Sequence, residues 1–448
     1  MSQTSSSSVI KIFKDVYGQM NTSALPMDDL LINKEVAYTK KGRVGDKYIE
    51  AIVLGSEVGI TFAGSGGEVF NINPAIAGAI RQSEISPSIS VLRSVIPWQS
   101  ISRSLGNDAA FVEATKHVVR NNMLSHKRFQ EIVKIHGQNT TKLLGRVAYM
   151  TATYRGASFT NGGGTLTSSL YGSLTFTAGV LSSSGNNYIL LNAGDFASGI
   201  WVGMQGVKVK QLLASNLSVV AEGKLISADS ALGILKVDFT PVAASSSGSH
   251  ILAFEGMEVS NEMVGIKKIL KNTGTLFNIN AATYPLWKGN VGTITGKLTF
   301  AKLESFVADM VNAGGLSGDL KVYVNPRTFH NIVASELAAR QYDYSYNKSE
   351  IVNGGKAIRF AYAEGDLEII GHRYIMEGDS LLLKTDEWMC SGSQDIATQI
   401  EGMPEEKLIF QLQDQGAYVF HTYGDVYMFC RSPAKNGLLE GINDEAAS

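Results

Sequence analysis

The sequence predicts a mixed α+β chain in which strands dominate and one helix is unusually long. Three observations carry this. Glycine is abundant at 46 residues and proline scarce at 9 among 448, a balance that suits many strands joined by flexible turns. Hydrophobic residues make up 44% and charged residues 18%, enough apolar content for a sizeable core spread over two or more structural units. Residues 107–136 keep helical spacing over roughly 45 Å, more than one small unit needs.

Residues 1–35 read as an N-terminal arm. After a Ser-rich start, Val9, Ile10, Ile12, Phe13, Val16 and Tyr17 form a short amphipathic stretch that closes no core locally, so the arm is expected to dock on a neighbouring subunit. Residues 36–73 read as an extended hairpin, with 48–54 and Gly59-Ile60-Thr61-Phe62 as strands and Gly64-Ser65-Gly66-Gly67 as a turn. Lys40, Lys41, Arg43 and Lys47 crowd its base and its alternation is poor, so it is expected to project. A peripheral unit follows over 74–160. Within it Asn73-Pro74 offers a cap and first position for a short helical turn through Ile80, and 89–101 alternates as a strand. Asn107-Asp108 opens the long helix and Gly137 closes it. Phe111, Thr115, Val118, Val119, Met123, Phe129, Ile132, Val133 and His136 form its stripe, with basic residues between and a candidate kink at Asn121, Asn122 and Ser125.

The composition changes at Thr160-Asn161-Gly162-Gly163-Gly164. Residues 173–255 lack helical spacing and hold a series of short strands, which predicts an inserted small β-barrel-like domain. Residues 256–295 are read as a return to the peripheral unit. In 296–403 a helix over 299–313 carries Phe300, Leu303, Val307, Met310 and Val311 on one face. A strand over 320–324 follows, then a helix started by Asn325-Pro326 and running to about Arg340, then strands at 367–370 and 381–384. This reads as a helix-flanked sheet. Residues 404–448 read as a hairpin, 417–421 and 426–430 about Gly424-Asp425, returning to the long helix.

Charge and chemistry exclude several functions. Lys+Arg total 39 against 41 Asp+Glu, a formal net charge of -2, so no global basic field grips phosphates and sequence-specific reading of DNA is not expected. Cys390 and Cys430 cannot make a disulfide framework, and residues 1–8 are polar where a signal peptide is basic and then apolar, which predicts a cytosolic chain. No run approaches the ~20 apolar residues of a membrane span. Gly292-Thr293-Ile294-Thr295-Gly296-Lys297-Leu298 falls one residue short of a phosphate loop and has Leu298 in place of the metal-binding hydroxyl, so it reads as a turn before the next helix. His126, Glu131 and His136 are spaced by five where helical zinc pairs need four, and read as surface and core residues of the long helix. No Gly-x-Ser-x-Gly elbow exists, and the two cysteines read as buried thiols. Tyr418, Phe420, Tyr423, Tyr427 and Phe429 suggest a stacking platform, but alternating aromatics in a hairpin are more often core. No catalytic residue, metal or cofactor is expected.

The order of parts resembles the major capsid protein family of tailed bacteriophages, the Hong Kong 97 type fold. Lys321-Val322-Tyr323-Val324-Asn325-Pro326-Arg327-Thr328-Phe329-His330-Asn331-Ile332 is similar to the strand-to-helix step of that family's axial domain. The ending over 417–442, with Arg431-Ser432-Pro433, is similar to its last strands. The resemblance implies that 36–73 is the extended loop, 107–136 the spine helix of the peripheral domain and about 296–403 the axial domain. It implies a virion capsid subunit, assembled in the host cytoplasm into the hexamers and pentamers of an icosahedral shell that encloses double-stranded DNA without reading it. The implied partners are other copies of the chain, a portal protein, an optional decoration protein and a separate scaffolding protein, since no long charged helical segment precedes the arm; no membrane is involved. Inter-subunit contacts are expected at Ile12, Phe13, Tyr17, Lys40, Lys41, Arg43, Lys47, Tyr48, Ile60 and Phe62. One family branch joins a loop Lys to a neighbour's Asn beside a catalytic Glu, but no matching Asn/Glu motif accompanies Lys40, Lys41 or Lys47, so no crosslink is expected. Two other readings compete: an encapsulin-like cellular shell, disfavoured by the arm and the inserted domain, and a β-rich glycan-binding surface or tail protein.

Overall fold

The long helix organises the chain. In the computed structural model, which describes residues 31–40, 47–65, 70–97, 108–151, 153–183, 185–340, 357–362, 364–398, 410–411 and 417–444, it runs Asp108–His136. That is about 44 Å of helix. It continues unbroken through Asn121 and Asn122, because Asn122 faces a partner sheet: it donates to Ser94 Oγ at 2.6 Å and accepts from Thr422 Oγ1 at 2.6 Å.

Several polar residues of this spine helix do not lie on a surface. His126, Arg128, Glu131, Lys134 and His136 are all buried, since other elements cover the helix on several sides. One cover is the segment from Leu31, expected to be part of an arm that docks on a neighbouring subunit. Its short helix Leu31–Glu35 is seated on the spine, where Glu131 accepts the amides of Ile32 and Asn33 at 2.8 and 2.7 Å. Lys134 Nζ donates to the Val36 carbonyl at 3.0 Å. The apolar arm residues Ile12, Phe13 and Tyr17 lie outside the described residues.

A second cover is the sheet Ser88–Pro97, Ala417–Cys430, Trp388–Ala397 and Phe410–Gln411. The terminal hairpin expected about Gly424-Asp425 is one continuous strand, with Gly424 paired to Ser90 and Asp425 to Ile89. Glycine serves close approach here: a Cβ at Gly424 would sit 3.1 Å from Ser90 Oγ and 3.2 Å from Ile396. Phe420, Tyr427 and Phe429 of this strand are buried, which makes them core. Cys390 and Cys430 are buried free thiols, pushed up in pKa by burial.

His126 bolts the spine to this sheet, with Nδ1 2.9 Å from Thr422 Oγ1 and Nε2 2.8 Å from Ser90 Oγ. Burial pushes its pKa down to about 4. The fold therefore favours the neutral ring, and this stabilisation is complete above the unfolded value of about 6.5 and lost as pH falls from there toward about 4. Denaturant unfolding at pH 7 and pH 4.5 should show a loss that His126→Gln reduces; an identical loss in the variant would show that the ring does not titrate with unfolding.

The helix-flanked sheet has the strand order Asn290–Gly296, Gly437–Ile442, Asp379–Leu383, Leu320–Val324, Gly365–Gly371, Ala357–Tyr362. Helices Phe300–Gly314 and Pro326–Arg340 flank it. The class is α+β, as the sequence predicts, but the sheet recruits more chain than 296–403. Its first strand starts at Asn290 and the last part of the chain, Gly437–Ile442, is an inner strand instead of part of a returning hairpin. The sequence pattern misses this because a strand of six residues carries no label of its partner. The stretch read as a turn at Gly292 is that first strand, where a Cβ would meet the Phe306 ring at 2.7 Å.

The β-rich middle segment forms the sheet His250–Phe254, Lys208–Leu213, Val219–Asp229, Ile234–Val237, Asn186–Leu190, Val180–Ser183. Residues 144–148 join its two sides: Leu144 N donates to Leu252 O at 3.1 Å and Ala148 N to Leu190 O at 2.9 Å. Strand Gly172–Phe176 pairs with Gly164–Ser168. Both the closing segment and that partner precede residue 173, so the unit is not a module confined to 173–255. Its core is also continuous with the spine, through Phe254 edge-on to both Trp201 and Phe129 at 5.6 Å.

A buried charge cluster ties these parts together. Asp379, on the helix-flanked sheet, contacts Lys142 Nζ at 2.8 Å and Lys267 Nζ at 2.5 Å, with Asp379 and Lys267 fully buried. Lys142 follows the spine helix and Lys267 lies on the short helix Ile266–Leu270. Arg146 pairs with Asp195 at 2.5 Å and Lys271 with Glu440 at 3.0 Å at its edges. Burial alone would raise the Asp379 pKa, but the two ammonium groups outweigh it and hold the carboxyl far below the usual range.

Candidate interaction surface

The hairpin expected over 36–73 is longer and differently paired. Strand Tyr48–Val53 is antiparallel to Ile80–Ile85, from Tyr48↔Ile85 to Val53↔Ile80. Beyond this base the two limbs run on together: Leu54 N donates to Ala79 O at 2.7 Å, Val58 and Ile76 exchange amide bonds at 3.0 and 2.7 Å, and Asn73 Nδ2 donates to Ile60 O at 2.9 Å. Asn73-Pro74 therefore lies in an extended returning limb and starts no helix. Thr61 Oγ1 accepts the Asn73 amide at 2.8 Å, holding that residue against the opposite limb.

The base sits in an aromatic socket. Tyr48 stacks on Tyr427 at 5.6 Å and meets Phe429 edge-on at 6.3 Å. Ile52 and Ile85 are buried with Ile279, Trp287, Met389 and Phe429. Polar contacts ring the socket: Arg431 Nε donates to Glu50 at 2.7 Å, Tyr48 Oη to Glu50 at 2.9 Å and Arg81 Nε to Tyr284 Oη at 2.7 Å. Burial and the neighbouring Glu50 push the Tyr48 phenol up. Tyr48, expected to touch a neighbour, thus packs at home. Lys47 pairs across the strands with Glu84 at 3.1 Å. Lys40 is exposed, while Lys41 and Arg43 lie outside the described residues.

Past the socket the hairpin exposes its apolar side chains. Phe62 is 87% exposed, Ile72 79%, Ile60 68% and Val53 69%; Ile49, Val58, Phe70, Ile76 and Ile80 are exposed as well. Half of the large exposed hydrophobic residues among the described residues fall between Ile49 and Ile80. Burying such a side chain is worth about 1.5–3 kcal/mol. A limb of this kind is held in water by its anchored base, and among the described residues it offers an exposed apolar contact surface. Ile60 and Phe62 were legible in the sequence. Ile49 and Val53 were missed, although the alternation Ile49-Ala51-Val53 on one face against Tyr48-Glu50-Ile52 on the other carries the signal.

The described residues hold no group of three or more His, Cys, Asp or Glu able to bind a metal, and no helix among them long and apolar enough to cross a membrane. Open clefts lie between elements. One of about 480 Å³ lies where Arg155, Arg327 and Glu377 meet, with Arg155 bonded to Glu377 at 2.9 Å. Another of about 330 Å³ lies beside the spine helix.

No protein-family model matches the sequence, and no curated protein matches it. Solved structures do. The chain is similar to the capsid subunit in the cyanophage A-1(L) capsid asymmetric unit, at 9% identity over 96% of both chains with a TM-score of 0.49. It is similar to the capsid of the native GTA particle at 7% identity, 96% and 95% coverage and a TM-score of 0.45. A chain of Mycobacterium phage Adephagia matches at 7% identity, 98% and 97% coverage and a TM-score of 0.43. At such identities and scores the likeness carries no functional weight.

Proposed function

We propose that this chain is the major capsid protein of a tailed double-stranded DNA bacteriophage, assembling with copies of itself into the hexamers and pentamers of an icosahedral shell. The observation that carries the reading is the anchored, projecting hairpin, whose exposed apolar limb needs a neighbour to cover it. A shell subunit requires lateral contact surfaces in place of a reaction pocket, and a closed assembly satisfies every such surface at once. The near-neutral charge suits a container, because enclosed DNA brings its own counterions. In this reading Lys40, Lys47, Ile60 and Phe62 contact neighbours. A scaffolding protein, a portal protein and an optional decoration protein are its partners, and assembly takes place in the host cytoplasm. The glycan-binding alternative is weakened by the burial of Phe420, Tyr427 and Phe429.

Negative-stain microscopy of the purified chain, alone and with a scaffolding protein, tests the proposal. Closed particles are expected; a chain that stays monomeric in both conditions rejects it. Phe62→Asp sharpens the test. At an exposed position its unfolding free energy should stay within about 0.5 kcal/mol of wild type, while particle yield falls, since a charge would be carried into an apolar contact.

A further inference from the structure

The sheet that covers the spine helix has a second face, turned away from the helix. Ser90 and Ser94 of the strand Ser88–Pro97 bond to His126 and Asn122 of the spine, so Ile89, Val91 and Arg93 point the other way. Ile89 is 73% exposed and Val91 50%, and Arg93 is exposed as well. Their cross-strand partners on Ala417–Cys430 are Asp425, Tyr423 and His421, each half-buried. The patch is therefore apolar and aromatic in its middle, where Val91 lies beside Tyr423, with an acidic end and a basic end.

Neither charge is answered within the described chain. Asp425 Oδ1 is buried with no hydrogen-bond partner among the described residues, which is costly for a carboxylate. Arg93 makes no ion pair among the described residues. Asp425 stands opposite Ile89, so about 14 Å of strand lies between it and Arg93. His421, opposite Arg93, adds no second cation to the basic end, because burial and then the Arg93 charge push its pKa down.

A patch with an apolar middle and opposite charges at its two ends is complementary to itself once its direction is reversed. A two-fold axis lying between two such faces and crossing the strands at Val91 and Tyr423 performs that reversal. The Arg93 end of each copy then lies over the Asp425 end of the other, at the roughly 10 Å spacing of packed sheets. Ile89, Val91 and Tyr423 fill the middle. We infer that this face is a contact between two copies of the chain, made about a two-fold axis and held by two reciprocal Arg93–Asp425 pairs around an apolar centre. It uses no residue of the projecting hairpin, so it stands or falls separately from the shell reading.

The test is disulfide trapping in the full chain. Val91→Cys, at the centre of the face, should form a covalent dimer on the order of tenfold faster than Ile226→Cys, a position 42% exposed elsewhere, since docking raises effective concentration. Cys390 and Cys430 are buried and do not compete. Adding Arg93→Asp should slow the trapping, because it sets like charges against each other twice, and adding Asp425→Arg to that chain should restore it. Trapping no faster than the control, trapping indifferent to Arg93→Asp, or a folded double variant that does not recover overturns the inference. Sedimentation of the dilute chain decides the matter without cysteines and covers the case in which Asp425→Arg unfolds it. Wild type should contain dimer, and Arg93→Asp and Ile89→Asp, both at exposed positions, should each turn it into monomer; unchanged sedimentation also overturns the inference.

Discussion

A chain in which residues 54–79 are replaced by a short Gly/Ser turn should fold normally and build no closed particles. The cut falls beyond the last paired residues Val53 and Ile80, so Tyr48, Ile52 and Ile85 keep their socket against Tyr427, Phe429 and Trp287. What is lost is the exposed limb with Val58, Ile60, Phe62, Phe70, Ile72 and Ile76. The same large side chains, buried at about 1.5–3 kcal/mol each, would have to offset the entropy of ordering each subunit in an assembly. Circular dichroism and thermal melting should match wild type while microscopy finds only free subunits. Normal particles from this chain would reject the hairpin as the principal lateral contact.

Asp379→Ala should be the most destabilising single substitution in the junction of the chain's parts. It leaves Lys267 fully buried without the carboxylate that stood 2.5 Å away, and strips Lys142 of its nearest partner while Glu440 at 3.3 Å and Asp195 at 3.8 Å remain; breaking a buried pair from one side costs about 3–5 kcal/mol. Asp379→Asn should recover part of that, since an amide oxygen still accepts one ammonium while the charge goes unanswered. Because the carboxyl is held far below its usual range, its contribution is present at neutral pH and is lost only as pH falls below about 4 toward the depressed value. Equilibrium unfolding at pH 7 decides the matter. A loss under about 1 kcal/mol for alanine would mean that solvent reaches the cluster and the junction is held by apolar packing alone.

The elements most legible in the sequence are those whose pattern is local. The spine helix, expected over 107–136, is Asp108–His136. Asn325-Pro326 starts a helix at Pro326, with Asn325 Oδ1 accepting the Arg327 amide at 3.1 Å. Strand Leu320–Val324 reads as a compact apolar run because both faces are covered. The hairpin's Ile60 and Phe62 were legible as apolar residues without a local core. Its true return strand was not, since Ile80–Ile85 carries Arg81, Gln82, Ser83 and Glu84 and looks like a polar connection. Only pairing with Tyr48–Val53 makes it a strand.

The sequence by itself determined composition, the positions of the three long helices and the presence of unpartnered apolar residues, because each depends on spacing within a few residues. Tertiary structure decided which distant strands pair. It placed Gly437–Ile442 inside the helix-flanked sheet, brought 144–148 between Leu190 and Leu252, and drew Asp379 to Lys142 and Lys267. The physical reason is that a strand's edge hydrogen bonds and a buried ion's partner are satisfied across hundreds of residues by whichever groups the whole packing brings near. Such choices leave no local signature.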